Sequence, residues 1–265
     1  MAMIRPGGAA LTQKAVETAK LPGGAKVLDM GCGEGDTVAL LAGRYGFEAT
    51  GIDLSSKLVD NGKARHAGLD LRRMEAQFLD FESKSFDAVF MECSLSVMRL
   101  REDAAFEAYC VLKPGGKLII SDLYLKDPDP EAVAKMLADA REKASRPKAE
   151  GACGENERPS SVMMDGAFVV GELAGMLEEM GFELEYFGDE TNALAGFAAQ
   201  AVMGHGSLAA YFKDIVPEGE DPAAYCACAA FCGGAENKDG NMENKDGACA
   251  YPKGLGYFLM ILRKR

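Results

Sequence analysis

The chain has 265 residues, of which 48% are hydrophobic and 26% are charged, and its formal net charge at pH 7 is −12. This length suits one α/β domain with an added lid or insertion, and the ordinary balance of apolar and charged residues excludes intrinsic disorder. The acidity, without a basic stripe interleaved with aromatics, argues against a nucleic-acid substrate.

Targeting and membrane signals are absent from the sequence pattern. Residues 1–10 contain no apolar run typical of a signal peptide, and no later segment has the uninterrupted apolar length of a membrane span. The eight cysteines lack the even spacing of a small secreted disulfide framework. We therefore expect a cytoplasmic protein without a membrane partner.

Strand and helix patterns alternate through the first half of the chain. Apolar periodicity predicts helices at 9–20, 36–45, 55–67 and 102–112, and strands at 26–30, up to residue 53, and at 71–78, 86–91 and 117–122. Such alternation predicts βαβ units and a mainly parallel sheet.

After Asp122 the pattern changes. It predicts helices at 129–143, 171–180 and 192–212, a mobile loop at 146–166, and final strands at 182–187 and 256–262. We expect residues 1–265 to form a single domain. Within it, residues 123–170 are a helix and a mobile loop that cover the site, and residues 188–254 are a cysteine-containing insertion between the last two strands.

The central motif is a glycine-rich turn at residues 27–36, where a buried strand is followed by glycines at 31, 33 and 35 and then by a helix. Glycine permits a sharp bend and a close approach of the backbone to a ligand. A dinucleotide-binding Gly-x-Gly-x-x-Gly turn would have glycine at position 36, which here is Asp36. Asp29, two residues before the first glycine, suits a ligand with an ammonium group better than one with phosphates.

Three further motifs follow in chain order. Asp53 ends the next strand, where a carboxylate can accept both hydroxyl hydrogens of a ribose. Leu79-Asp80-Phe81 follows the third strand and offers an acid and an aromatic ring for an adenine. Pro114-Gly115-Gly116 turns the chain into the strand at 117–122.

These motifs, in this order, resemble those of class I S-adenosylmethionine (SAM)-dependent methyltransferases. The resemblance implies SAM as cofactor and a Rossmann-like α/β fold. Its sheet has seven mostly parallel strands with the last one antiparallel, helices on both faces and a long insertion before the last strand. By this resemblance the methionine end of the cofactor is held by Asp29, Met30, Gly31, Cys32, Gly33 and Gly35. Asp53 and Leu54 contact the ribose, and Leu79, Asp80 and Phe81 contact the adenine. Glu92 and Cys93 lie over the methionine portion, and Arg5 belongs to a leader segment that closes over the cofactor.

The methyl acceptor is less well specified. The stretch 86–96 resembles arsenite methyltransferases, in which a metalloid-binding cysteine follows this strand, and Cys93 has that position. Trivalent arsenic is soft and is held by thiolates. The second cysteine of that family corresponds to Met163 here, with Cys153 as a substitute from the loop. His205, in the insertion, is a candidate base.

A second cysteine group, in the insertion, comprises Cys226, Cys228, Cys232 and Cys249. Its spacing matches neither a zinc ribbon nor a standard iron–sulfur run. These cysteines are candidate ligands for a thiophilic ion, a substrate site or a reversible disulfide pair. The alternative is that they are small packing residues on an alanine-rich helix.

The sequence therefore predicts an enzyme that transfers a methyl group from SAM to a small-molecule acceptor, with soft acceptors such as arsenite among the candidates. No catalytic residue is assigned, because methyl transfer mainly requires alignment of the acceptor and exclusion of water. Two alternatives stay open. One is O- or C-methylation of a quinone-like or other small metabolite, and the other is a SAM- or metal-binding protein without turnover, whose insertion binds a protein partner.

Overall fold

The computed structural model describes residues 5–145, 162–164, 167–207, 210–211 and 254–265, with the side chains of 140–145 excepted. The strands in this part of the chain are β1 (Lys26–Met30), β2 (Glu48–Asp53), β3 (Asp70–Arg73), β4 (Phe86–Glu92), β5 (Leu112–Leu125), β6 (Met163–Met164), β7 (Ala167–Phe168), β8 (Phe182–Asp189) and β9 (Leu255–Lys264). The α-helices are α1 (Gly8–Ala19), α2 (Asp36–Tyr45), α3 (Ser56–Arg65), α4 (Arg101–Val111), α5 (Pro130–Ser145), α6 (Val170–Glu179) and α7 (Thr191–His205).

The strands form one mixed sheet. Its seven longer strands lie in the order β3-β2-β1-β4-β5-β9-β8, and the first five of these are parallel neighbours. The last strand, β9, is antiparallel to both β5 and β8. The predicted Rossmann-like sheet with an antiparallel last strand is confirmed. The two-residue strands β6 and β7 form a hairpin that adds to it through the pair Tyr124 and Phe168.

Helices cover both faces of the sheet, as predicted. Alternate residues of a strand point to opposite faces, so Val27 and Leu28 of β1 belong to two different clusters of core residues. The first cluster is closed by α1, α2 and α7, and the second by α4 and α6. Because the parallel strands end at one edge, the loops that follow β1, β2, β4 and β5 meet there.

Three predicted elements differ from the structure. The strand predicted at 71–78 ends at Arg73, because its neighbour β2 ends at Asp53 and the backbone beyond has no further partner in the sheet. The helix predicted at 192–212 ends at His205, where Gly206 takes a left-handed φ of 83° and its N–H caps Val202 O.

The third difference is at Met163–Met164, which form β6 inside the predicted mobile loop; the rest of that loop up to residue 161 lies outside the described residues. No helix in the described ranges combines the length and the apolar character needed to cross a bilayer.

Candidate functional site

The glycine-rich turn after β1 lies at the carboxyl edge of the sheet. The N–H groups of Gly31 and Cys32 both donate to Ile52 O, at 2.8 and 2.9 Å, which fixes the turn against the end of β2. Gly31 has a φ of 82°, and a Cβ there would lie 2.5 Å from Ser94 Cβ. Gly33 has a φ of 55°, but a Cβ there meets no protein atom within 4 Å. The turn is therefore closely packed at Gly31 and open at Gly33. The open space at Gly33 can accommodate part of a ligand.

Asp53, at the end of β2, points at this turn. Its Oδ2 accepts the Gly33 N–H at 2.9 Å, and its Oδ1 accepts the Ser55 N–H at 2.9 Å. Burial raises the pKa of Asp53 above its usual range, although these backbone donors oppose the shift. A carboxylate has about four lone-pair sites, so Asp53 can accept a further donor. Beside it, the side chain of Leu54 is 61% exposed and offers an apolar surface next to the acid.

A buried polar cluster lies beneath the turn. Glu92, at the end of β4, accepts the Arg5 guanidinium at 2.8 Å, the Thr12 hydroxyl at 3.1 Å and the Thr37 hydroxyl at 3.0 Å. Arg5 also donates to Thr12 and Thr37. The cluster joins the leader segment to α1, α2 and β4, so Arg5 is held in the site as a structural cation. Sequence reasoning missed Thr12 and Thr37, which are unremarkable residues on amphipathic helices.

Asp29, on β1, is buried in the same region. Burial, and then the negative charge of Glu92, raise the pKa of Asp29 well above its usual range, while Arg5 lowers it. One guanidinium thus serves two buried carboxyl groups. A ligand whose ammonium group lies next to Asp29 would neutralise the charge of the second carboxyl group.

The predicted adenine segment begins beside Asp53, whose carbonyl accepts the Met74 N–H at 3.0 Å. Leu79 is half-buried and its N–H donates to Glu107 Oε2 at 3.3 Å, whereas Asp80 is exposed. Phe81 packs edge-on against Phe86, with ring centroids 5.1 Å apart. The aromatic ring of this segment is therefore turned partly into the core.

Cys93 and the hairpin lie on the β5 side of this edge. Cys93 is buried, takes a left-handed φ of 58°, and its N–H donates to Ser121 O at 2.7 Å. Met163 stands in β6, in the hairpin that pairs with β5 at Tyr124. The structure thus brings Cys93 and Met163 to the carboxyl end of the same strand.

Sequence reasoning did not assign a role to Asp122 and Ser96, which lie here as well. Asp122, on β5, is fully buried and binds Ser96 through both carboxylate oxygens. Burial, followed by the charge of Cys93, raises the pKa of Asp122 to about 7. The sequence signal that could have indicated Asp122 is an acidic residue at the end of an apolar strand.

The remaining candidates are not brought to this site by the described residues. His205 is exposed at the last residue of α7, with its ring 5.1 Å from that of Tyr211. The helix begins at the carboxyl edge, after β8, and His205 is its last residue, 15 residues or about 22 Å along the helix axis from its start. Outside the described residues are Cys153, Cys226, Cys228, Cys232 and Cys249. Within the described part of the chain, no group of three or more His, Cys, Asp or Glu residues is arranged to hold a metal ion.

Comparison with known proteins agrees with this geometry. Residues 28–120 match the family described as a methyltransferase domain. The uncharacterized methyltransferase YodH of Bacillus subtilis is 34% identical over 143 residues, which are 52% of this chain and 60% of that protein. The sarcosine/dimethylglycine N-methyltransferase of Aphanothece halophytica is 26% identical over 74% of this chain and 65% of its own length. The chain thus spans less than two thirds of the length of these curated relatives.

Among solved structures, phosphoethanolamine N-methyltransferase 2 of Haemonchus contortus in complex with SAM superposes with a TM-score of 0.61. It is 17% identical, and the match covers 99% of this chain and 54% of that one. At 17% identity this similarity shows that the two chains share a fold.

Proposed function

We propose that this chain, which carries a class I methyltransferase domain, transfers a methyl group from SAM, the cofactor of that family, to a small-molecule acceptor. The observation that carries the proposal is the pairing of an open glycine turn with two acids at adjacent strand ends, the buried Asp29 and the half-buried Asp53. This arrangement matches an adenosyl amino acid, which presents ribose hydroxyls at one end and an ammonium group at the other.

The residues fit such a cofactor at each of its parts. The Asp53 carboxylate would accept the ribose hydroxyls, and the exposed Leu54 would cover the sugar and base. The open space at Gly33 would admit the methionine portion, and Asp29 would hold its ammonium group. Leu79, Asp80 and Phe81 would border the adenine.

The remaining residues around the turn give it shape and charge. The turn itself is formed by Met30, Gly31, Cys32 and Gly35. The buried ion pair of Arg5 and Glu92 lies beneath it. Cys93, which directly follows β4, would lie at the edge of the methionine portion.

When bound, SAM supplies a methyl group on a positively charged sulfur. The protein's own part is to orient the acceptor and to exclude water, which together contribute most of the rate in an in-line transfer. The carboxyl ends of β4 and β5 are well suited to this role, because Cys93, Ser96 and Asp122 are all buried there. We further propose that residues 123–170 cover the acceptor side, since the β6–β7 hairpin pairs with β5 two residues beyond Asp122.

The class of acceptor has several candidates. Relatives named for sarcosine/dimethylglycine and for phosphoethanolamine suggest nitrogen acceptors, and one named as an O-methyltransferase suggests hydroxyl acceptors. A soft acceptor such as arsenite is supported by the single thiol of Cys93 at the edge of the methionine portion. Met163 in β6 supplies no second thiolate for such an acceptor.

An acceptor panel tests the proposal. The purified chain is incubated with SAM and, separately, with sarcosine, phosphoethanolamine, a hydroquinone, arsenite, selenite and a small thiol, and S-adenosylhomocysteine (SAH) is measured by mass spectrometry. We expect SAH formation that depends on one of these acceptors and is lost in Asp53→Ala. Binding of SAH without turnover on the whole panel would favour the binding-protein alternative, and Cys93→Ser with unchanged arsenite turnover would exclude Cys93 as a metalloid ligand.

A further inference from the structure

The glycine turn after β1 is supported by α3 as well as by Asp53. Gly62 of α3 lies so close to the turn that a Cβ at this position would be 2.6 Å from Glu34 O and 2.9 Å from the Glu34 carbonyl carbon. These are backbone atoms of the residue next to Gly33, and they cannot rotate away as the end of a side chain can. The glycine at position 62 therefore lets α3 contact the backbone of the turn directly.

Polar side chains of α3 bind both acids of the turn. Arg65 pairs with Glu34 and, at 3.0 Å, with Asp36 Oδ1. Asn61, one helical turn before Arg65, donates to Glu34 Oε1 at 3.2 Å, and His66 Nε2 lies 3.0 Å from Asp36 Oδ1. The planar guanidinium presents its donors in fixed directions, so Arg65 sets the position of the two acids relative to each other.

These contacts lie on both sides of Gly35, the residue at which the turn passes into α2. Gly35 takes a left-handed φ of 81°. Glu34 precedes it and Asp36 follows it, so α3 fixes the direction of the chain before and after this bend. The Gly33 N–H is bound by Asp53 of β2. The open part of the turn is therefore held from two elements, β2 and α3.

We infer that Gly62 and Arg65 are positioning residues for the cofactor, which hold the turn in its open conformation before the ligand binds. They act through Glu34 and Asp36. The exposed fraction of the side chain is 30% for Arg65 and 25% for each acid, so these ion pairs contribute little to the stability of the whole chain. Ligand affinity nevertheless changes in proportion to the population of the competent turn. The inference rests on the proposed function, because it concerns the turn that is proposed to bind SAM.

Hydrogen–deuterium exchange of the ligand-free chain tests the support from α3 without any ligand. In Arg65→Ala we expect the amides of residues 31–36 to exchange about threefold to fivefold faster, because the turn opens more often when exposed ion pairs are lost. Exchange in β4, at residues 86–92, should stay unchanged. Arg263→Ala is the matched control, since Arg263 also pairs with two acids, Glu183 and Glu185, but on β8 and β9.

Calorimetry with SAH tests the consequence for the cofactor. Gly62→Ala forces Glu34 to move, so we expect the Kd for SAH to rise about tenfold or more. Gly43→Ala is the matched control, because Gly43 is also helical but a Cβ there meets no atom of the described chain within 4 Å. Its Kd should stay within about twofold of the wild-type value. Arg65→Ala should raise the Kd about threefold to fivefold, and this difference should disappear at about 1 M salt, which screens exposed charges.

The outcomes separate this inference from the proposed function. Failure of the wild-type chain to bind SAH contradicts the proposed function, while faster exchange of the turn in Arg65→Ala still supports its positioning by α3. Unchanged exchange in Arg65→Ala overturns the inference, and so do Gly62→Ala and Arg65→Ala chains that bind SAH as the wild-type chain does. Equal losses of affinity in Gly62→Ala and Gly43→Ala also overturn it. Where Gly62→Ala does not fold, the exchange and the salt-dependent affinity of Arg65→Ala decide.

Discussion

Asp53 is the residue on which cofactor affinity depends most directly, because it holds both the glycine turn and the proposed ribose contact. Asp53→Ala removes the half-buried carboxylate that accepts the N–H groups of Gly33 and Ser55. We therefore expect the Kd for SAH to rise about tenfold to a hundredfold. Calorimetry measures this change. Asp60→Ala, on the exposed side of α3, is the control, and equal losses in both variants would contradict the assignment.

Arg5 and Glu92 form an ion pair whose side chains are 7% and 2% exposed. Removing one partner leaves an uncompensated buried charge, so Arg5→Ala is expected to lower the free energy of unfolding by about 3–5 kcal/mol. The control is Arg65→Ala, which breaks the more exposed ion pairs of Arg65 with Glu34 and Asp36 and should cost about 1 kcal/mol or less. Urea unfolding measures the free energy of unfolding of both variants. Similar losses in the two would show that the Arg5–Glu92 ion pair contributes no more to stability than an exposed one.

Single residues also show which contacts can and cannot be predicted from the sequence. Asp29 and Asp53 were predicted because acids at strand ends beside a glycine turn are recognisable in the sequence. The hydroxyls that satisfy Glu92 come from Thr12 and Thr37, 80 and 55 positions away along the chain. No local pattern indicates such a partner, since only the packing of α1 and α2 on the sheet brings them together.

The glycine turn is the element whose sequence is most tightly constrained. Gly31→Ala would place a methyl group 2.5 Å from Ser94 Cβ at a φ of 82°, so we expect at least about 2 kcal/mol of lost stability. Gly33→Ala has open space and should cost about 1 kcal/mol, but its methyl group would enter the cradle and weaken SAH binding. Thermal unfolding and calorimetry together separate the two variants, and a stable Gly31→Ala protein would contradict the packing described.

Element boundaries were predictable where local signals act. Ser55 caps α3 by accepting the Leu58 N–H, and α2 lies between Gly35 and Gly46, which both take a left-handed φ. The sequence could not show that β3 stops at Arg73, because that end depends on the length of its neighbour β2. It also could not indicate the β6–β7 hairpin, whose two-residue strands are too short to show a period.

At the scale of the whole molecule, buried acids control how stability responds to pH. Burial raises the pKa of Asp122 to about 7, above its value of about 3.9 in an unfolded chain. The folded state therefore binds more protons, and this stabilising contribution is complete below about pH 4 and is lost as the pH rises through 7. Relative to Asp122→Asn, the wild-type chain should lose roughly 4 kcal/mol at most between pH 4 and 8. Urea unfolding across this range measures the difference, and a constant difference would show that Asp122 is ionised in both states.

The raised pKa values of Asp29 and Asp53 affect cofactor affinity, which decreases as the pH falls. In the proposed function both acids would bind the ligand as carboxylates, so protonation would compete with binding. We expect the Kd for SAH to rise as the pH is lowered, starting at a higher pH than carboxyl groups with an ordinary pKa would cause. The same titration on Asp29→Asn, which cannot ionise at this position, should show a smaller dependence on pH, and an equal dependence would remove Asp29 from the ammonium site.

Calorimetric titration of the wild-type chain with SAH tests the central claim most directly. The account predicts saturable binding at one site per chain, with competition from SAM and none from a nicotinamide dinucleotide. Absence of binding at millimolar SAH, or preferential binding of the dinucleotide, would contradict it.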